Sequence, residues 1–276
     1  MIKDITIGQY FPGNSFVHRL DPRFKIGITA VFICMLFSAD TFAGLGVAAV
    51  FFIISYGLTG LPYKLMTRSI KPIIPIIIFT GFINLFFIDG VPVIKIFGII
   101  ITDEALRVTA FMMIRIILLI CGSSVLTYTT SPIVLTDAIE SILRPLNKVH
   151  FPVHELSMMM TIALRFIPTL IEETDKIMSA QKARGAELDS GSFMNRAKAL
   201  IPILIPLFVS SFRRAEELAL AMECRCYRGG EGRTKLKTLS SGLSDYIALS
   251  VSILVLCGVI IINMGKVSIL HAYTTI

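Results

Sequence analysis

Two arginines in this chain stand in matching settings. Ala183-Arg184-Gly185 and Cys224-Arg225-Cys226 each place a guanidinium between two small residues, and the arginines are 41 positions apart. Each triplet closes a stretch patterned as a long helix. Small flanks let another surface come close, while the guanidinium presents donors in a fixed fork that grips a carboxylate through two bonds. The chemistry is recognition rather than catalysis. A cation at a helix C-terminus is also favoured by the helix dipole alone. One such end is unremarkable, but two matched ends on similar helices point to docking. Glycines follow at Gly185 and at Gly229-Gly230, a normal helix stop.

Other reactive residue types form no complete constellation. Cys224-x-Cys226 offers two thiols to a metal, but no further Cys or His pair stands at ligand spacing. Cys34, Cys121 and Cys257 lie inside apolar runs, where cysteine acts as a small core residue. His154-Glu155 opens like a zinc-protease helix, yet position 158 is Met, so the second ligand is missing. No Gly-x-Ser-x-Gly elbow and no phosphate-binding loop ending in Gly-Lys-Ser/Thr occurs. The chain is expected to be neither an enzyme nor an ATPase, and to hold no cofactor or metal. Arg115 is the single charge in the apolar run 108–136. Burying it is costly, so it should face a protein interior. It is either a transport-pathway residue or a tie between helices.

The elements that position these residues are set by composition. Of 276 residues 54% are hydrophobic and 16% charged, with a mean hydropathy of +0.78. Soluble domains carry about 25% charged residues, so the chain reads as a membrane protein. A crossing helix needs about 20 mostly apolar residues. Runs 26–39, 41–63, 72–88, 108–136 and 246–264 give about five transmembrane helices, the first of them short at 14 residues. Asp89-Gly90 marks a turn, a short extended excursion follows it, and Thr102-Asp103-Glu104 reads as the N-cap of the next helix.

The net charge of +7 follows topology, not nucleic-acid binding. Basic residues precede the first run, fill the loop after the second, and number 15 in residues 128–245. The intervening loops hold few. That alternation predicts a cytoplasmic N-terminus, an outside C-terminus and a cytoplasmic 128–245 segment in a multi-pass protein of the cell membrane. The organisation expected is 1–127 with the first four spans, 128–245 as a cytoplasmic helical region, and 246–276 with the last span.

Within 128–245, Ser131-Pro132 starts a helix and Arg144-Pro145 breaks it. Two long helices follow, from Glu155 to about Arg184 and from Met194 to about Tyr227. Phe208, Phe212, Ala215, Ala219 and Met222 recur at steps of four and three, a stripe suited to packing on another helix. Residues 200–212 are apolar but only 13 long with two prolines, too short to cross. A self-sufficient carrier would need ionisable groups near the bilayer midplane, and Arg115 alone supports that poorly.

Gly8-Gln9-Tyr10-Phe11-Pro12-Gly13-Asn14-Ser15, His18-Arg19-Leu20-Asp21-Pro22-Arg23-x-Lys25 and the paired small-Arg-small triplets together resemble the transmembrane T component of energy-coupling factor transporters, the EcfT/CbiQ family, most like its shared (group II) form. The second triplet departs from the usual Ala-Arg-Gly type by using cysteines, which are also small. The resemblance covers nearly the whole chain. It implies an all-α membrane protein with long cytoplasmic amphipathic coupling helices. It implies a non-catalytic scaffold, with ATP bound by two ABC-type ATPase subunits. One of the two motif arginines, Arg184 or Arg225, would enter a groove on each. It further implies a membrane-embedded, substrate-binding S component as partner, for uptake of a vitamin or micronutrient.

Overall fold

Away from water, backbone polar groups must bond within the chain, so long uncharged runs become helices. The computed structural model describes all residues except 1–9, 89–91, 97–98, 150, 187–192, 230–238 and 275–276. The fold is that of an all-α membrane protein with one small hairpin. Two compact units are present, one of residues 8–131 with 239–276, the other of residues 132–238.

In the first unit a short helix α1 (Phe16–Arg19) leads into α2 (Pro22–Ser38). The Asp21 carboxylate caps α2 by accepting Arg23 N–H at 2.9 Å. Pro22 takes the first helical position, where a missing N–H costs nothing. Helix α3 (Phe42–Thr59) begins at Thr41, whose Oγ1 accepts Gly44 N–H at 3.1 Å. It stops at Gly60, with φ 65°, the left-handed conformation that glycine adopts without a Cβ clash. Helix α4 (Tyr63–Ile70), a 3-10 turn (Lys71–Ile73) and α5 (Ile74–Phe87) follow one another directly.

Strands β1 (Pro92–Ile96) and β2 (Ile99–Thr102) form an antiparallel hairpin with Lys95 opposite Ile100. This is the expected extended excursion. The Asp89-Gly90 turn ahead of it lies outside the described residues, as do Gly8, Gln9 and Gly230. Thr102 Oγ1 accepts Ala105 N–H at 3.2 Å and so starts α6 (Asp103–Thr129). Helix α10 (Leu243–Thr274) closes the unit.

Four helical segments among the described residues are long and apolar enough to cross a membrane: Phe42–Thr59, Tyr63–Phe87, Asp103–Thr129 and Leu243–Met264. The short first run becomes α2, of 17 residues. At 1.5 Å per residue it reaches about 26 Å against a hydrocarbon core of about 30 Å. One expected boundary is corrected. The fourth run does not continue to residue 136, because α6 ends at Thr129 and a new helix begins at Pro132. Proline cannot donate to a preceding turn and disfavours helix in the residue before it.

The core of this unit comes from α2, α3, α6 and α10: Phe32, Met35, Leu36, Leu45, Leu118 and Val259 are buried together. Helix α6 approaches α2 closely because Gly122 faces Phe32; a Cβ there would overlap the ring.

The second unit holds α7 (Pro132–Leu143), a 3-10 stretch (Arg144–Val149), α8 (Val153–Ala183) and α9 (Phe193–Cys224). The break at Arg144-Pro145 is where the sequence places it. Helices α8 and α9 are antiparallel. Glu173 pairs with Arg214 at 3.0 Å, and eight residues further along α8 Gln181 Nε2 donates to Pro202 O at 3.3 Å, back toward the start of α9. Helix α9 is not among the segments able to cross.

Candidate functional site

The two small-Arg-small triplets close their helices in the same way. At the end of α8, Gly185 N–H donates to Lys182 O at 3.0 Å and Ala186 N–H to Gln181 O at 3.0 Å, with Gly185 at φ 85°. At the end of α9, Cys226 N–H donates to Glu223 O at 2.8 Å and Tyr227 N–H to Met222 O at 3.0 Å, with Cys226 at φ 57°. Both are Schellman closures, a 6→1 bond enclosing a shorter one around a left-handed residue. Arg184 and Arg225 therefore hold the same position, the C-cap. The middle residues of both triplets are exposed, and among the described residues neither arginine forms an ion pair.

The stop of α9 differs from expectation. Gly229 does take φ 85°, but the helix has already closed three residues earlier, on Cys226. Cys226 is the non-glycine residue at positive φ among the described residues. A side chain in that region costs about 1–2 kcal/mol, which is why sequence patterning placed the stop at the glycines.

Because α8 and α9 run antiparallel, the two arginines lie toward opposite ends of the pair. From Pro202, beside Gln181, to Arg225 is 23 residues of helix, about 35 Å. Between them α9 carries an apolar face. Phe208 and Phe212 are 66% and 58% exposed, with ring centroids 5.0 Å apart, and Leu204, Ile205 and Val209 are exposed beside them. Met159 and Met160 on α8 are exposed as well. A contiguous patch of this kind marks a surface met by a protein or by membrane.

Arg115 stands near the middle of α6, with its side chain 15% exposed. Its Nη2 donates to Ala39 O, the Phe111 ring lies 4.7 Å below the guanidinium carbon, and Asp40 Oδ1 is 4.0 Å away. Asn263 Nδ2 donates to Ser38 O, and Thr41 Oγ1 donates to Asn263 Oδ1 at 3.1 Å. The last carbonyls of α2 have no partner within the helix, so α6 and α10 supply the donors. These contacts tie three helices together.

The cobalt transport protein family, CbiQ, matches residues 13–236. The chain is 55% identical to the energy-coupling factor transporter transmembrane protein EcfT of Thermosediminibacter oceani over 250 residues, 90% of this chain and 94% of that protein. It is 51% identical to EcfT of Clostridium kluyveri over 93% of this chain and 96% of the relative. With EcfT of Bacillus subtilis the identity is 46%, over 87% and 91%. The chain belongs to this family. Its place among transmembrane proteins of energy-coupling factor transporters agrees with the resemblance carried by the N-terminal and paired-arginine motifs.

In this EcfT-family chain the His18-to-Lys25 motif builds a buried charge cluster that the sequence did not reveal. Asp21 N–H donates to Asp245 Oδ1 at 2.8 Å, and Gly242 N–H to Asp245 Oδ2 at 2.7 Å. Arg23 Nη2 donates to Leu239 O at 2.9 Å. Lys25 Nζ donates to His18 O at 3.1 Å, Thr129 O at 3.2 Å and Thr130 Oγ1 at 3.5 Å. Asp21, Lys25 and Asp245 are all buried. The cluster joins the starts of α2 and α10 to the end of α6, and its charges balance. Asp21-Pro22 announced a helix cap; nothing in the sequence linked it to Asp245, 224 positions away.

A second cluster ties α7 to α8. Ser157 Oγ donates to Glu140 Oε2 at 2.6 Å, and His154 Nδ1 lies 3.2 Å from Glu140 Oε1. The serine and histidine both face the carboxylate rather than each other, so this is no nucleophile–base pair. Among the described residues no group of three or more His, Cys, Asp or Glu is placed to hold a metal.

Proposed function

We propose that the chain is the transmembrane scaffold of an energy-coupling factor importer. It passes the motion of two partner ABC-type ATPase subunits to a membrane-embedded, substrate-binding S component, which reorients and releases a vitamin or other micronutrient inside. ATP is bound and hydrolysed on the partners; this chain contributes no catalytic group. Arg184 docks on one ATPase and Arg225 on the other. The Ala183 and Gly185 flanks, and Cys224 and Cys226, let each partner surface approach. The chain sits in the cell membrane with residues 128–245 on the cytoplasmic side, which the alternation of basic loops supports.

The observation that carries this reading is the pair of equivalent helix closures. Each exposes an arginine at the same backbone position. Their separation of about 35 Å, roughly the diameter of a small domain, suits two partners rather than one. The exposed apolar face of α9 between them suits the S component.

The test is co-purification of the tagged chain with its ATPase pair, as wild type and as Arg184→Ala plus Arg225→Ala, together with ATP-driven uptake. Truncating one partner of a desolvated charge pair costs about 2–5 kcal/mol. The double variant should stay in the membrane, lose the ATPases and lose uptake. Retention and uptake at wild-type levels would make the arginines ordinary helix ends.

A further inference from the structure

Beside α3 lies an apolar groove of about 740 Å³. We infer that it holds an acyl chain of a membrane phospholipid. Ala43, Gly46, Val50, Ile54 and Leu58 line one wall at steps of three and four, so they form a single stripe along α3. Val251 and Val255 of α10 and Ile28 of α2 form the other wall. Helices α3 and α10 meet at Gly44, where an added Cβ would stand 3.4 Å from Val259 Cγ1, and the groove opens beyond that contact. Both helices are among those able to cross a membrane, so the groove lies at hydrocarbon depth. Val50, Ile54 and Leu58 are exposed along its open side.

Water has little to bind there. Lys25 Nζ is spent on three acceptors, Thr29 Oγ1 donates to Lys25 O at 2.8 Å, and Thr129 Oγ1 donates to Val125 O at 2.8 Å. A site without polar partners stays dry or takes an apolar guest. Size decides which guest. From Ala43 to Leu58 the groove runs about 23 Å along α3, and a partner helix with side chains, 10–12 Å across, would fill about 2,000 Å³ over that length. The groove has about a third of that volume, too little to embed a helix. A chain one carbon wide fits, and it lies along the groove within the hydrocarbon core.

The test counts phospholipid on the full-length protein. The protein is reconstituted into vesicles of phosphatidylethanolamine and phosphatidylglycerol, extracted with mild detergent and weighed intact by mass spectrometry. Wild type should retain about one phospholipid per chain. Gly46→Leu should reduce that to a trace. A Cβ at Gly46 meets nothing within 4 Å, so the leucine fills the groove without disturbing the fold. Gly57→Leu is the control: its Cβ also meets open space, but Gly57 does not line the groove, and this variant should keep the lipid. Lipid retained equally by Gly46→Leu, or lost equally by Gly57→Leu, overturns the assignment. A photo-crosslinker replacing Ile54, activated in cells, separates the remaining occupant. An adduct of phospholipid mass supports the inference, and an adduct of protein mass refutes it.

Discussion

Replacing Asp245 with Ala tests whether the buried charge cluster holds the starts of α2 and α10 together. The carboxylate accepts Asp21 N–H through Oδ1 and Gly242 N–H through Oδ2. Gly242 is exposed, so water replaces the second bond. Asp21 is 5% exposed, so its N–H is left without a partner, at about 1–3 kcal/mol. The variant also removes one of the two carboxylates whose charge acts on Lys25, itself 5% exposed. Breaking a buried charge pair costs about 3–5 kcal/mol. The two losses overlap, because both concern the same oxygens, and we expect about 4 kcal/mol in total. For a chain of this size that corresponds to about 10 °C in Tm. Asp245→Asn keeps one acceptor, which can turn toward Asp21, and should lose about half as much. Adding Lys25→Met to Asp245→Ala removes the stranded charge and should recover part of the loss. The assay is thermal unfolding of the detergent-solubilised full chain, followed by the monodisperse fraction on size exclusion. A shift under about 2 °C for Asp245→Ala, or additive losses in the double variant, would refute the reasoning.

Cys226→Gly should stabilise the end of α9 by about 1 kcal/mol by relieving the left-handed strain, and Cys226→Val should weaken it; amide exchange at Tyr227, whose N–H bonds Met222 O, reports both. Arg115→Ala should lower stability by about 2 kcal/mol, because Ala39 O loses its donor, and Arg115→Lys should lose less; unchanged unfolding with abolished uptake would instead mark a transport-pathway residue. Gly122→Ala should cost about 1–3 kcal/mol through overlap with Phe32, and Phe32→Leu in the same chain should restore much of it, as read by thermal unfolding.

Much of this protein was legible before any coordinates. Long uncharged runs dictate helices of membrane length because their backbones have no other partner in hydrocarbon. Thr102 before Asp103-Glu104 and Pro132 after Ser131 marked helix starts that hold to the residue. Local chemistry of caps and prolines acts over three or four positions, so a sequence displays it directly. The matched arginine triplets were visible for the same reason.

What depends on distance along the chain was hidden. No local signal pairs Asp21 with Asp245, or aims Arg115 at the end of α2, because those contacts exist only once helices pack. The stop of α9 on Cys226 was also hidden. Intrinsic preference disfavours a cysteine at positive φ, and only the closing bonds from Cys226 and Tyr227 to the last turn hold it there. The sequence by itself determined which segments are helices, which of them are greasy, and where two arginines recur. Tertiary structure alone decided that those arginines share one backbone geometry at opposite ends of an antiparallel pair, and that a groove opens beside α3. Helix formation is a local equilibrium of hydrogen bonds and solvation, whereas packing is a contest among side chains hundreds of residues apart.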